Sequence, residues 1–290
     1  KIVSWNVNGI TSLKNYHPWT TKTFPELLDS FHSDIICFQE IKRTIKSLPT
    51  EFNHVPGYDV FYSLHPTKGY AGVATFVKSN ISPVMVEQGF SGLLSTTNLG
   101  HLDDLHQHYT ADTLKQLDSE GRVLITDHQY FILFNIYYPN SGETDDRHEF
   151  KMIFSKAVQI RIDSFVRAGR RVMVVGDLNV THQEIDHCNP EQSMKDNGLA
   201  KFEDLDSRIW LNDWLYPNGL MIDTFRFSFP NRTNAFTVWN TKLNARSVNY
   251  GTRIDYILVS ESLRDWIDVS DILPDVLGSD HCPIFLTLHD

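Results

Sequence analysis

The chain has 290 residues, of which 41% are hydrophobic and 21% are charged, and its formal net charge is −10. This composition is typical of a globular protein and excludes a disordered, collagen-like or coiled-coil chain as the main architecture. The longest apolar runs have strand length, well below the ~20 residues of a membrane-spanning helix, so we expect no association with a membrane.

Short runs rich in Val, Ile, Phe and Tyr, each bounded by turn residues, predict twelve strands. In chain order they are residues 1–7, 34–39, 58–64, 72–77, 83–87, 122–126, 130–137, 171–175, 236–239, 254–259, 267–271 and 283–288. Apolar residues at helical spacing predict three helices, at 23–31, 144–167 and 202–215. Many strands and few helices favour an α/β sandwich, with two packed sheets flanked by helices. A doubly wound parallel sheet would show stricter alternation and a Gly-rich first loop.

The sequence predicts one domain, residues 1–290, because it contains no linker, repeat or low-complexity tract. Residues 89–121 break the strand pattern and predict a long, flexible insertion. A metal site of His101, His106 and His108 is an open alternative to a solvated loop there, although the spacing fits no common zinc pattern.

Cysteine usage and the first residues indicate the compartment. Cys37, Cys188 and Cys282 lack CxxC spacing, which argues against a disulfide framework and for a reducing environment. The chain opens in a strand-like run at Lys1, without Met, signal peptide or transit peptide, so we expect a shortened chain.

The positive charge is concentrated in one stretch. Residues 224–254 contain five Lys or Arg and no Asp or Glu, a local charge of +5, which leaves −15 for the rest of the chain when the total is −10. Aromatic and amide residues lie between these cations, a composition that suits a nucleic-acid groove. A surface hairpin whose aromatic residues face the core is the alternative.

Polar residues stand at the ends of several predicted strands, and they are the main functional signal. These residues are Asn6, Glu40, Asp177, Asn179, Asp255, Asp280 and His281. If the strands run in suitable directions, their ends meet at one rim and the side chains converge. Each residue alone could also be an ordinary turn or strand-end residue.

Clustered carboxylates repel each other, and a divalent cation removes that penalty. Oxygen ligands from Glu, Asp and Asn point to Mg²⁺ or Mn²⁺ rather than to zinc. The pair of His281 and Asp255 is typical of an imidazole whose tautomer a carboxylate fixes.

At these residues the chain resembles the exonuclease III class of apurinic/apyrimidinic (AP) endonucleases, within the endonuclease/exonuclease/phosphatase superfamily. The matching motifs are Ser4-Trp5-Asn6-Val7-Asn8-Gly9, Gln39-Glu40-Ile41-Lys42, Gly69-Tyr70-Ala71-Gly72-Val73, Tyr137-Tyr138-Pro139-Asn140, Gly176-Asp177-Leu178-Asn179-Val180, Asn244-Ala245-Arg246-Ser247, Arg253-Ile254-Asp255-Tyr256 and Gly278-Ser279-Asp280-His281-Cys282-Pro283. Within this class, residues 184–188 and the insertion look closest to the eukaryotic AP endonuclease 2 type.

The resemblance implies a four-layered α/β sandwich and Mg²⁺-dependent phosphodiester hydrolysis, with Mn²⁺ able to substitute. The implied metal ligands are Glu40, Asn6, Asn8 and Asp280. The implied catalytic residues are Asp177, Asn179, Tyr137, His281, Asp255 and Asn140, and either Asp177 or His281 could be the general base. The DNA contacts that we expect are Tyr70, Arg246, Arg253, Trp239 and Lys42.

One departure from the family pattern concerns the abasic-sugar pocket. Strong AP endonucleases have a Trp where this chain has Thr252. At a nearby position they have another aromatic residue, where this chain has Val238. A looser pocket should hold a flipped sugar less well, so we expect 3′–5′ exonuclease and 3′-phosphodiesterase activity with weaker AP-site incision. The alternative is a phosphoesterase of the same superfamily that acts on RNA or a phosphorylated small molecule.

The resemblance also carries expectations about partners. The substrate would be duplex DNA with AP sites or with 3′-recessed or 3′-blocked ends. We expect a nuclear monomer whose C-terminal tail, outside this chain, binds a sliding clamp.

Overall fold

A computed structural model of the chain describes residues 1–95, 97–142 and 144–289. Within these residues the strands form two six-stranded sheets and one two-stranded ribbon. The strands are β1 (Ile2–Asn6), β2 (Ile35–Gln39), β3 (Tyr58–Ser63), β4 (Val73–Lys78), β5 (Met85–Gln88), β6 (Val123–Asp127), β7 (Ile132–Tyr137), β8 (Val172–Asp177), β9 (Met221–Asp223), β10 (Val238–Trp239), β11 (Gly251–Thr252), β12 (Asp255–Ser260), β13 (Ile267–Ile272) and β14 (Ile284–Leu288).

The α-helices are short, with the exception of α5. They are α1 (Phe24–Asp29), α2 (Thr50–Asn53), α3 (Asp103–His108), α4 (Ala111–Asp118), α5 (Asp145–Arg167), α6 (Pro190–Asn197), α7 (Asp206–Trp214) and α8 (Thr224–Ser228). Short 3-10 helices lie at Ile10–Asn15, Trp19–Thr21, Ile45–Ser47, Ser79–Ile81, Glu184–Asp186, Phe202–Asp204, Thr241–Leu243, Ala245–Val248 and Glu261–Trp266. Among the described residues, none of the helices combines the length and the apolar composition needed to cross a membrane.

Both sheets are mixed in the same way. The first has the order β13-β14-β1-β2-β4-β3, and the second has the order β5-β6-β7-β8-β12-β9. In the first sheet β1 pairs with β2 in parallel, and in the second β7 pairs with β8 in parallel. The other pairs described in these sheets are antiparallel.

Three apolar clusters show a four-layered sandwich. One fills the space between the sheets, and Val175 and Leu133 belong to it. The second joins the outer face of the second sheet to α5 and α7 through residues such as Val174 and Phe154, and the third covers the outer face of the first sheet. Neighbouring residues of a strand point to opposite faces, so strands buried on both faces read as continuous apolar runs. The predicted α/β sandwich is confirmed.

The segment 89–121, expected to be a long flexible insertion, includes helices that pack on the core. It contains α3 and α4, and Leu105, Leu114 and Leu117 pack into the outer cluster of the second sheet. Thr110 caps α4 by accepting a hydrogen bond from the N–H of Thr113. The two helices have six and eight residues, too few for a clear helical period in the sequence.

Candidate active site

Polar residues at the ends of the two parallel strand pairs meet between the sheets. Asn6 ends β1 opposite Gln39, and Glu40 follows β2 directly. In the second sheet Asp177 ends β8 between Tyr137 of β7 and Asp255 of β12. The convergence at one rim that the strand ends predict is therefore present.

Asn6 links the two sheets at this rim. Its fully buried amide nitrogen donates hydrogen bonds to Glu40 Oε1 and to Asp177 Oδ2, both at 2.9 Å. Its oxygen accepts from the N–H of Asn8 at 3.1 Å. Asn6 thus presents a donor to the two carboxylates, and its role as a metal ligand stays a prediction.

His281 is held from two sides. Its Nδ1 lies 2.8 Å from Asp255 Oδ2, and its carbonyl oxygen accepts from the indole N–H of Trp5 at 3.1 Å. Its other nitrogen, Nε2, faces Asp177 Oδ2 at 3.9 Å. Asp255 therefore orients the ring and leaves Nε2 directed into the site.

Burial and charge perturb the ionisable groups of the rim. Burial, together with the charge of Asp255, raises the pKa of Asp177 to about 7. Burial disfavours the imidazolium of His281, but Asp255 and Asp177 outweigh it and raise its pKa to about 10. Burial opposes the charge of Glu40 too, yet hydrogen bonds from Lys42 and Asn6 leave its pKa below the ordinary value.

Glu40, Asp177 and His281 form a group that could hold a metal ion, since one ligand atom from each lies within 4.8 Å of the others. The ammonium of Lys42, 2.6 Å from Glu40 Oε2, is a positive charge beside this group. Carboxylates that are crowded and costly to ionise suit a hard divalent cation. The residues present therefore fit a divalent metal ion at Glu40.

Asn8, Lys42 and Asp280 form the outer part of the rim. Lys42 donates to the amide oxygen of Asn8, and Asn8 Nδ2 donates to Asp280 Oδ1 at 2.9 Å. Lys42, expected to contact DNA, is thus an ion-pair partner of Glu40. Asp280 joins the site through Asn8 and lies outside the group of three possible ligands.

Asn179 and Tyr137 complete the inner rim. The N–H of Asn179 donates to Asp177 Oδ1 at 2.8 Å, and its side chain donates to the carbonyl oxygen of Tyr138 at 2.9 Å. Burial and the nearby carboxylates of Glu40 and Asp177 raise the pKa of Tyr137, so its hydroxyl stays protonated.

Two predicted site residues make other contacts in this structure. Asn140 is exposed, and its side-chain oxygen accepts from the N–H of Gly142. Arg253 is 1% exposed and ion-pairs with Asp186 and Asp223, so it cannot reach DNA.

The rest of the basic stretch is also largely engaged within the protein. Trp239 is buried, with the guanidinium of Arg246 over its ring. Arg246 donates to the carbonyl oxygens of Ser279, Pro274 and Val276. Both residues therefore support loops next to the rim. Tyr70, in contrast, is 41% exposed.

A pocket of about 540 Å³ opens next to Asp280. Val238 and Thr252, which lie opposite each other in the β10–β11 ribbon, line it together with His187 and Cys188. The small side chains of Val238 and Thr252 leave this pocket wide.

The histidines of the insertion have separate partners. His106 Nε2 lies 2.8 Å from the carbonyl oxygen of Ser91, and His108 Nδ1 lies 2.7 Å from that of Asp104. His101 packs against the ring of Phe165. These three rings do not form a metal site.

Two residues that sequence reasoning missed support the site. Lys151 of α5 is buried, and its ammonium donates to the carbonyl oxygen of Asn179 at 2.6 Å. Arg122 precedes β6 and donates to the carbonyl oxygen of Tyr137 at 3.1 Å. Arg122 could have been found by the same signal as the others, a polar residue at a strand end, whereas Lys151 gives no such signal.

Comparisons with known proteins agree with this geometry. Residues 3–281 match the model of the Endonuclease/Exonuclease/phosphatase family. The chain belongs to this family. Its fold is similar to the crystal structure of the Xenopus laevis APE2 catalytic domain, with a TM-score of 0.87, 36% sequence identity and coverage of 99% of this chain and 91% of the other.

Two similar relatives share a name. The chain is 37% identical to "DNA-(apurinic or apyrimidinic site) endonuclease 2" of Schizosaccharomyces pombe, over 100% of this chain and 58% of that protein. It is 36% identical to the Homo sapiens protein of the same name, over 98% of this chain and 59% of that protein. The chain thus spans somewhat more than half the length of these relatives. The resemblance that the motifs indicated is confirmed.

Proposed function

We propose that this chain is the catalytic part of a Mg²⁺-dependent DNA-repair phosphodiesterase with 3′–5′ exonuclease and 3′-end-cleaning activity and weaker AP-site incision. The observation that carries the proposal is the single rim where Glu40 and Asp177 meet His281. Relatives named as AP-site endonucleases support DNA as the substrate.

Asp177 is the group that we assign to activating water. Asn6 and the N–H of Asn179 fix its two oxygens, and a pKa raised to about 7 suits a general base near neutral pH. Water would lose its proton to Asp177 as its oxygen attacks phosphorus, and the bond from phosphorus to the 3′ oxygen would break. The 3′ oxygen would take a proton from solvent to become a 3′ hydroxyl, and the phosphate would leave with the terminal nucleotide or the blocking group.

His281 is better suited to charge stabilisation than to the role of base. The raised pKa keeps its imidazole protonated at neutral pH. Held by Asp255, the imidazolium would donate through Nε2 to a phosphate oxygen as negative charge develops there. A Mg²⁺ ion bound at Glu40 would neutralise further charge on the phosphate.

The wide pocket supports the proposed substrate preference. A flipped abasic sugar needs close contacts to stay out of the base stack, and Thr252 and Val238 provide little surface. A 3′ end is already accessible and needs no flipping, so 3′-end processing should exceed AP-site incision.

The test is cleavage of 3′-recessed, 3′-phosphoglycolate and AP-site duplexes with Mg²⁺, beside poly(A) and an inositol phosphate. We expect cleavage of the three DNAs, loss of cleavage with EDTA and in Glu40→Gln, and retention in Glu203→Gln, an exposed matched control. Turnover of only poly(A) or the inositol phosphate would favour a different phosphoesterase. Binding of DNA without any turnover would indicate a non-catalytic end-binding module.

Monomeric state, nuclear location and the clamp partner stay predictions. The relatives are longer than this chain, which leaves room in them for a tail that binds a sliding clamp. Sedimentation of this chain alone tests the monomer.

A further inference from the structure

Arg122 is a buried cation that contacts both Tyr70 and Tyr137. Its side chain is 1% exposed, and Glu120 Oε2 lies 2.5 Å from its Nε. The remaining guanidinium nitrogens donate to the carbonyl oxygen of Tyr137 at 3.1 Å and to the hydroxyl of Tyr70 at 2.8 Å. One side chain thus contacts Tyr137 at the end of β7, in the second sheet, and Tyr70 in the loop before β4, in the first sheet.

The contacts with Tyr137 fix both its main chain and its ring. The N–H of Tyr137 donates to the carbonyl oxygen of Arg122 at 2.9 Å, and the Arg122 side chain returns a bond to the Tyr137 carbonyl. The guanidinium also lies over the Tyr137 ring, 4.6 Å from its centroid. The face of the ring is therefore packed while its hydroxyl remains near Glu40 and Asp177.

The contacts with Tyr70 set the direction of its hydroxyl. Arg122 and Arg147 both donate to the Tyr70 oxygen, at 2.8 and 3.1 Å. Since this oxygen accepts twice, the hydroxyl hydrogen points away from both arginines and is free to donate to a phosphate. Glu120 pairs with both arginines, so two cations share one carboxylate and one positive charge stays in excess.

Gly121, next to Arg122, allows the chain to pass close to the loop that follows β3 and contains Tyr70. Its φ is +66°, and a side chain at this position would lie 2.4 Å from the backbone carbon of Leu64. Only glycine lets the end of the insertion approach the loop so closely.

We infer that Arg122 is a positioning residue that orients Tyr137 toward the reacting phosphate and Tyr70 toward the DNA backbone, with Glu120 and Arg147 as its supports. This inference rests on the proposed function. The planar guanidinium is required because a Lys ammonium cannot stack on Tyr137 while bonding the Tyr70 hydroxyl and the Tyr137 carbonyl.

The kinetic test compares Arg122→Lys with the wild type on a 3′-recessed duplex. We expect kcat to fall about 10- to 100-fold, as for a misplaced catalytic group, in a variant whose cooperative thermal unfolding shows that it is folded at the assay temperature. In a Tyr137→Phe background the same change should have little further effect on kcat, because the two residues act together. Arg167→Lys, at an exposed arginine of α5, is the matched control.

A second measurement does not depend on activity. In protein labelled with ¹³C on its tyrosine rings, Arg122→Lys should shift or broaden the signals of Tyr70 and Tyr137, assigned through the Tyr→Phe variants. Unchanged signals from both tyrosines, or a folded Arg122→Lys enzyme with wild-type kcat, would overturn the inference. Absence of cleavage by the wild type would count against the proposed function alone and leave the spectra to decide the role of Arg122.

Discussion

Asp177 is a buried carboxylate whose surroundings oppose its ionisation. Burial and the charge of Asp255 both favour its neutral form, while Asn6 and Asn179 hold its oxygens in place. The same features that make this group useful for accepting a proton make its charge costly for the folded state.

Replacing Asp177 with Asn should therefore separate activity from stability. We expect cleavage of a 3′-recessed duplex to fall by about 10²- to 10⁴-fold, the range for loss of a general base. The metal-free variant should be at least as stable as the wild type at pH 8, because a buried negative charge is gone. Single-turnover cleavage and thermal unfolding measure the two effects.

Asp112→Asn, at an exposed carboxylate of α4, is the control for this comparison. A variant at Asp177 that keeps wild-type cleavage, or one that loses activity only because it unfolds, would contradict the assignment.

Asp186 contributes a different kind of charge, one that stabilises the fold. Burial alone would raise its pKa, but Arg253 and Arg226 lower it to about 2. A carboxylate with a lowered folded-state pKa contributes stability that is fully present above its unfolded value, near 3.8, and is lost as the pH falls toward 2.

The free energy of unfolding of the wild type should therefore exceed that of Asp186→Asn at pH 6. Between pH 6 and pH 2.5 this difference should shrink by roughly 1–2 kcal/mol, from about 1.4 kcal/mol per pKa unit. Urea unfolding of both proteins across this range measures it. A difference that stays constant would show that Asp186 is not held ionised by the arginines.

At the scale of elements, α4 packs into the hydrophobic core and is not a surface helix of a loop. Leu114 is fully buried in the cluster with α5. Leu114→Ala should lower the free energy of unfolding by about 2–4 kcal/mol, the cost of a core cavity.

Leu94, in the same insertion but 48% exposed, provides the matched control. Its replacement with Ala should change the free energy of unfolding by less than about 0.5 kcal/mol. Equal, small effects at both positions would mean that α4 does not pack as described.

The β10–β11 ribbon sets the width of the pocket beside Asp280. Thr252→Trp should narrow this pocket and improve the grip on a flipped abasic sugar. We expect kcat/KM for AP-site incision to rise by about 10-fold, a gain of about 1.4 kcal/mol. Exonuclease activity on a 3′-recessed end should change little.

Val248→Trp, at a position 75% exposed outside the pocket, controls for a general effect of added aromatic surface. If AP-site incision rises equally in this control, or does not rise in Thr252→Trp, pocket width does not limit that activity.

At the scale of the whole molecule, the sequence was sufficient for the sandwich and the inner rim. All twelve predicted strands have counterparts, and the short β9 and β11 were missed because two or three residues form no pattern. The site residues lie at the ends of strands. Predicting the strands from their apolar runs therefore also located Glu40, Asp177 and Asp255.

The roles of the cations could not be predicted in this way. Arg253 pairs with Asp186 and Asp223, which are 67 and 30 residues away along the chain. A window without acidic residues therefore looked free to bind phosphate, although Arg226, Arg232 and Arg253 pair with distant carboxylates. Partners of this kind become visible only when the strands are placed side by side.

The most direct test of the account is anomalous diffraction from a crystal of this chain soaked in Mn²⁺. We predict a peak about 2.1 Å from a carboxylate oxygen of Glu40, in the rim beside Asp177 and His281, and its loss in Glu40→Gln. Mn²⁺ that supports DNA cleavage yet is ordered only away from this rim would contradict the account.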